Sequence, residues 1–84
     1  MNDDDIANEL ADMLITPPHT LPWEAVLAKL GVDAEPLSGA ISRLWWRHKD
    51  SGPFEVGQDN GLPVVRMTAY GHAIARMPRR QRTW

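Results

Sequence analysis

Eighty-four residues can build one core but not two, because a chain of this size buries only about 60 to 65% of its unfolded surface. The absence of cysteine excludes a disulfide framework, a thiolate metal site and a thiol nucleophile. The formal charge of −2 conceals a division, since residues 1–36 set Lys29 against eight carboxylates whereas residues 37–84 set eight Lys and Arg against three. Contact with a polyanion therefore falls to the second half.

No segment approaches the roughly 18 continuous apolar residues of a membrane span, and the amino terminus is acidic where a signal peptide would be basic. These features imply a cytoplasmic protein without a membrane partner.

The spacing of Ile6, Leu10, Met13 and Leu14 predicts a first helix from about Asp3 to Ile15, capped by Asn2, with Asp3, Asp4 and Asp5 in its first turn. The acidic run reads as a solvated helix start. Thr16-Pro17-Pro18-His19 ends the helix, and His19 reads as a loop residue with no second ligand at metal spacing. Thr20 is expected to cap a second helix with Pro22 in its first turn, one face formed by Trp23, Val26, Leu27 and Leu30, and a stop at Gly31.

Gly31-Val32-Asp33 then resembles the tight turn between two helices, and two registers are open. Either Asp33 caps the third helix and Pro36 lies in its first turn, or the helix starts later at Ser38. Taken as a helix, the stretch puts Leu44, Trp45 and His48 inward with Ile41 and Leu37 one and two turns earlier, and both registers, Asp33 or Ser38 as the cap, leave Ser42, Arg43, Trp46 and Arg47 outward. The helix, spanning about 34–49, ends at Asp50-Ser51-Gly52-Pro53.

Phe54-Glu55-Val56 and Val64-Val65-Arg66-Met67 read as two strands joined by a turn over residues 57–61, and Pro63 suggests that the second is an edge strand. Thr68 is expected to cap a last helix with Tyr70, Ala73, Ile74 and Met77 inward and His72 and Arg76 outward. The whole is a mainly α fold with a small β-hairpin: three helices, a two-stranded wing and a short C-terminal helix over residues 1–78. Residues 79–84 are expected to form a mobile basic tail.

Helix, helix, helix, hairpin, helix is the order of a winged helix-turn-helix, and particular motifs carry the resemblance further. Ser42-Arg43-Leu44 is followed by Gly52 and Phe54, and Met67-Thr68-Ala69-Tyr70-Gly71 opens the last helix. Over roughly residues 20–77 the chain resembles the multiple-antibiotic-resistance regulator family of bacterial transcription regulators. The resemblance implies a bacterial or phage DNA-binding regulator whose third helix enters the major groove, with Ser42 and Arg43 contacting DNA.

The residues themselves assign further contacts. Arg43 and Arg47 are candidates for guanine edges or phosphates, with Trp46 beside them on the same face, and Lys49 and Arg66 are flanking backbone contacts. Arg79, Arg80 and Arg82 form a candidate electrostatic arm. A dimer on a two-fold site is the usual arrangement for a regulator of this size. The alternative is a winged helix used for protein contact, docking on a larger complex through Trp46, because Trp and Arg dominate protein hot spots and the wing tip, Gln58-Asp59-Asn60, is acidic. No carboxylate pair, nucleophile with base, metal-ligand set or phosphate-cradling loop is visible, so neither enzymatic activity nor a cofactor is expected.

Overall fold

Asn2 opens the first helix, α1 (Asp3–Leu14), with a reciprocal cap: its Oδ1 accepts from the Asp5 N–H at 2.8 Å, and the Asp5 carboxylate accepts from the Asn2 N–H at 3.1 Å. Ile6, Ala7, Leu10, Ala11 and Leu14 are buried along one face. The computed structural model describes residues 1–47 and 52–84. In them four α-helices and a three-stranded antiparallel sheet of order β1-β3-β2 share a single core.

The third strand is the main departure from expectation. Thr20–Pro22 does not begin a helix; it forms β1, which pairs antiparallel with the strand β3 (Leu62–Met67) through Thr20 with Arg66, Leu21 with Val65 and Pro22 with Val64. The helix α2 (Trp23–Leu30) starts only after Pro22, so Thr20 is not its cap. A three-residue strand has no periodicity to read, and its hydrogen-bond partners lie more than forty residues away.

Gly31 ends α2 in the left-handed conformation with φ 66° and donates its N–H to the Leu27 carbonyl at 2.8 Å. The helix α3 (Ala34–Arg47) begins directly after Asp33, which selects the earlier of the two registers and puts Pro36 in the first turn, where its missing N–H has no helical partner to lose. Leu37, Ala40, Ile41 and Leu44 are buried. Trp45 is half-buried and donates its indole Nε1–H to the Phe54 carbonyl at 2.6 Å. Its ring lies where a Cβ on Gly52 would stand, so the glycine lets the end of α3 clamp onto the start of the next strand.

That strand is β2 (Phe54–Asp59), and it pairs with β3 from Phe54 opposite Met67 to Asp59 opposite Leu62. The strands are longer than expected and the turn shorter. Only Asn60 and Gly61 remain between them, both at positive φ (53° and 80°), the conformation whose twist matches the flanking strands. Pro63 lies in the central strand and not, as expected, in an edge strand. It is tolerated because β1 reaches only Val64 to Arg66 and stops short of it.

Thr68 caps the last helix, α4 (Ala69–Ala75), as expected; its Oγ1 accepts from the Gly71 N–H at 3.1 Å and donates to the Gly52 carbonyl at 2.6 Å. Gly71 packs so closely against the Pro53 carbonyl that a Cβ there would overlap it. Ile74 and Ala75 are buried, while Met77 and Ala73 are exposed and not inward. Met77 lies past the last turn of α4, so the helical spacing that pointed it inward no longer applies.

Residues 79–84, expected as a mobile tail, return to α1. Arg79–Gln81 forms a single 3₁₀ turn and Trp84 is buried, with its ring 5.3 Å from that of Phe54 and its Nε1–H donated to Asn8 Oδ1 at 2.9 Å. A large apolar ring follows the arginines, and its burial holds the whole segment down.

Candidate nucleic-acid interface

The outward face of α3 carries Ser42, Arg43, Trp46 and Arg47, all exposed, as the sequence predicted. Trp46 is 86% exposed, the most exposed of the large apolar side chains among the described residues. The candidate Lys49 and the expected core residue His48 lie outside the described residues.

The arginines are engaged on their α1 side. Arg43 donates from Nε and Nη2 to the two carboxylate oxygens of Asp3, at 2.7 and 2.9 Å. Gly39, one turn earlier, leaves the room in which this guanidinium lies. Arg47 Nη1 donates to Asp4 Oδ1 at 2.7 Å and to the backbone carbonyl of Trp84 at 3.1 Å. The hydrogen bond from Arg43 holds the Asp3 carboxyl below its ordinary range against the opposing effect of burial, and the same bond raises the Arg43 guanidinium. Sequence reasoning missed Asp3 and Asp4 as partners of this face; the opposed charges of the two halves of the chain were the available signal.

The remaining candidates are dispersed. Arg66 projects from the sheet face opposite to Phe54 and Met67, lies across Gly57 where a Cβ would stand, and pairs with Glu55 at 3.7 Å. With Thr20, Gln58, Asp59 and Val64 it lines an open cavity of about 220 Å³. No hydrogen bond or ion pair among the described residues joins it to the α3 arginines.

The basic arm is not a free arm. Arg79 pairs with Asp12 and, at 2.7 Å, with Glu9, and Glu9's hydrogen bond raises its guanidinium. Arg82, its side chain 9% exposed, donates to Asp12 at 3.0 Å, to the Ala75 carbonyl at 3.0 Å and to the Met77 carbonyl at 3.3 Å. It therefore satisfies carbonyls at and beyond the end of α4. Arg80 is exposed on the 3₁₀ turn.

Comparison with protein-family models, with curated proteins and with solved structures finds no match. Among the described residues no helix is long and apolar enough to cross a membrane, and no group of three or more His, Asp or Glu could hold a metal ion. His19 and His72 do meet edge to face, with ring centroids 4.3 Å apart. The Nδ1 of His19 lies 2.9 Å from the Leu14 carbonyl, which commits that nitrogen as a donor. Burial, then the charges of His19 and Arg76, lower the His72 imidazole below its usual 6.5.

Proposed function

We propose that the chain is a winged helix-turn-helix that binds duplex DNA, with α3 in the major groove and the β2–β3 hairpin as its wing. The observation that carries this reading is the uncovered outer face of α3, with Ser42, Arg43, Trp46 and Arg47 all exposed, in a chain whose elements run β1, α2, α3, β2, β3. A helix fits the width of the major groove and can present side chains to base edges there. The resemblance to the multiple-antibiotic-resistance regulator family supports the same role for Ser42 and Arg43. The pairs with Asp3 and Asp4 do not remove Arg43 and Arg47 from this role. Both guanidinium groups keep much of their surface open to solvent, 60% for the Arg43 side chain and 42% for Arg47, and a phosphate can take the place of each carboxylate.

The test is fluorescence-anisotropy titration of labelled duplex DNA at about 50 and 200 mM salt, with the Arg43→Ala/Arg47→Ala variant alongside. Binding should weaken with salt, and the variant should bind less tightly with a salt slope smaller by about 1 for each phosphate contact removed. Equal affinity and equal slope for the variant, or no wild-type binding at the lower salt, would sink the proposal.

A second reading, docking on a protein through α3, is favoured by one observation: the side chain standing farthest out is a tryptophan, while the two arginines beside it, both on its α1 side, already have carboxylate partners. Capture of a partner by wild type and not by Trp46→Ala, together with absence of duplex binding, is the outcome this reading predicts.

A further inference from the structure

We infer that Trp46 and Ser42, and not the two arginines, face the base edges, and that the feature Trp46 recognises is the C5 methyl group of thymine. The inference rests on the DNA reading above and adds to it which bases are read and by which side chain.

The geometry starts from the helix itself. Nine residues, about two and a half turns at 3.6 per turn, separate Trp46 from the fully buried Leu37, so the indole points directly away from the core. Ser42 lies one turn earlier on the same line and is exposed. Arg43 and Arg47 lie one position farther round the helix, on the side of α1, where Asp3 and Asp4 hold their guanidinium groups. A helix lying in a groove with this face down therefore brings Trp46 and Ser42 to the floor and leaves the arginines against one wall, where the phosphates are.

Chemistry then selects the ligand. Base edges in the major groove present hydrogen-bonding atoms of every pattern but only one apolar group, the methyl of thymine. An indole offers a broad apolar surface and a single donor, so it gains most from covering that methyl and least from a G·C edge, whose polar atoms it would desolvate without replacing their hydrogen bonds. Ser42, a hydroxyl that both donates and accepts, suits the edge of either base pair and leaves the discrimination to the indole. The same face therefore favours A·T over G·C by an apolar contact, in place of the arginine-to-guanine contact that the sequence suggests.

The experiment compares four duplexes of equal length by anisotropy: alternating A·T, the same duplex with deoxyuridine for thymidine, alternating G·C carrying 5-methylcytosine, and its unmethylated form. Uracil pairs as thymine does and lacks only the methyl, while 5-methylcytosine restores a methyl at the equivalent ring position. Wild type should bind the thymine duplex about three- to fourfold more tightly than the uracil duplex for each methyl covered, and methylation should tighten the G·C duplex. Trp46→Ala should bind all of them with methyl-independent affinity, and Trp46→Phe should keep part of the preference; at 86% exposure the side chain contributes little to the core, so both variants should fold. Wild-type binding that ignores the methyl, or a preference that survives Trp46→Ala, overturns the inference while leaving the DNA reading intact. No binding to any duplex at low salt overturns both.

Discussion

Arg43 and Asp3, forty residues apart, share a two-pronged contact in which both carboxylate oxygens accept from one guanidinium, and one turn along α3 Arg47 donates a single hydrogen bond to one oxygen of Asp4. The acidic start of α1 is thus the counterion of the face that the DNA reading assigns to phosphate. A carboxylate in this place competes with phosphate for the same donors. The Asp3→Asn/Asp4→Asn variant is therefore expected to bind duplex DNA about three- to tenfold more tightly at low salt, with the difference shrinking as salt rises. Glu24→Gln/Asp33→Asn, which removes the same number of negative charges from exposed positions at the start of α2 and just before α3, is the control for net charge. Equal affinities for the Asp3→Asn/Asp4→Asn variant and the control would show that the pairs do not compete with DNA.

Trp84 should matter to stability as a core residue and not as a terminal one. Replacing it with alanine is expected to destabilise the fold by about 3 kcal/mol, the scale of emptying an aromatic site in a core, because its buried ring packs on Phe54. Trp84→Phe should keep most of the packing and lose the bond to Asn8, a change of about 1 kcal/mol. Urea denaturation of the three proteins measures both differences. A wild-type midpoint for Trp84→Ala would mean that the C-terminal segment is not held against the core.

Burial of His72, and after it the neighbouring His19 and Arg76, sets a pH dependence. Because the folded chain lowers the His72 imidazole below 6.5, the unfolded chain binds a proton there more readily than the folded one does. Stability should therefore be steady above 6.5, fall as pH drops from 6.5 toward the lowered folded value, and level off beneath it. His72→Gln should flatten this segment of a melting-temperature profile. For Asp3 the sign is opposite: its carboxyl is lowered by Arg43, so its contribution is present above 3.8 and is lost as pH falls below 3.8 through the folded value.

The junction of the hairpin and α4 predicts two unequal substitutions. Thr68→Ala removes the cap on Gly71 and the bond to the Gly52 carbonyl, and should destabilise by about 1 to 2 kcal/mol. Gly71→Ala places a methyl group against the Pro53 carbonyl, a backbone atom that no rotamer change can move aside, and should be the more damaging of the two. Thermal melts followed by circular dichroism rank them; the reverse order would mean that the chain near Pro53 yields easily.

What could be read from the sequence by itself were the features whose physical cause lies within a turn or two of chain. The Asn2 cap, the left-handed stop at Gly31, the Thr68 cap and the buried stripe of Leu37, Ile41 and Leu44 each depend on neighbours one to four residues away, and each lies where the pattern predicted. The outward set of Ser42, Arg43, Trp46 and Arg47 followed from the same periodicity. Tertiary structure decided the rest. Thr20–Pro22 became a strand because β3 offered it an edge, Pro63 was accommodated because that strand is short, and Arg79 and Arg82 turned from a free arm into clasps because Trp84 beside them had a core to enter. Above all, the pairing of the acidic first turn with the α3 arginines needed α1 and α3 to be packed side by side. Charge composition gives the two opposed halves, but Coulomb attraction and hydrogen bonding select partners only within a few ångströms, and that proximity is a property of the fold.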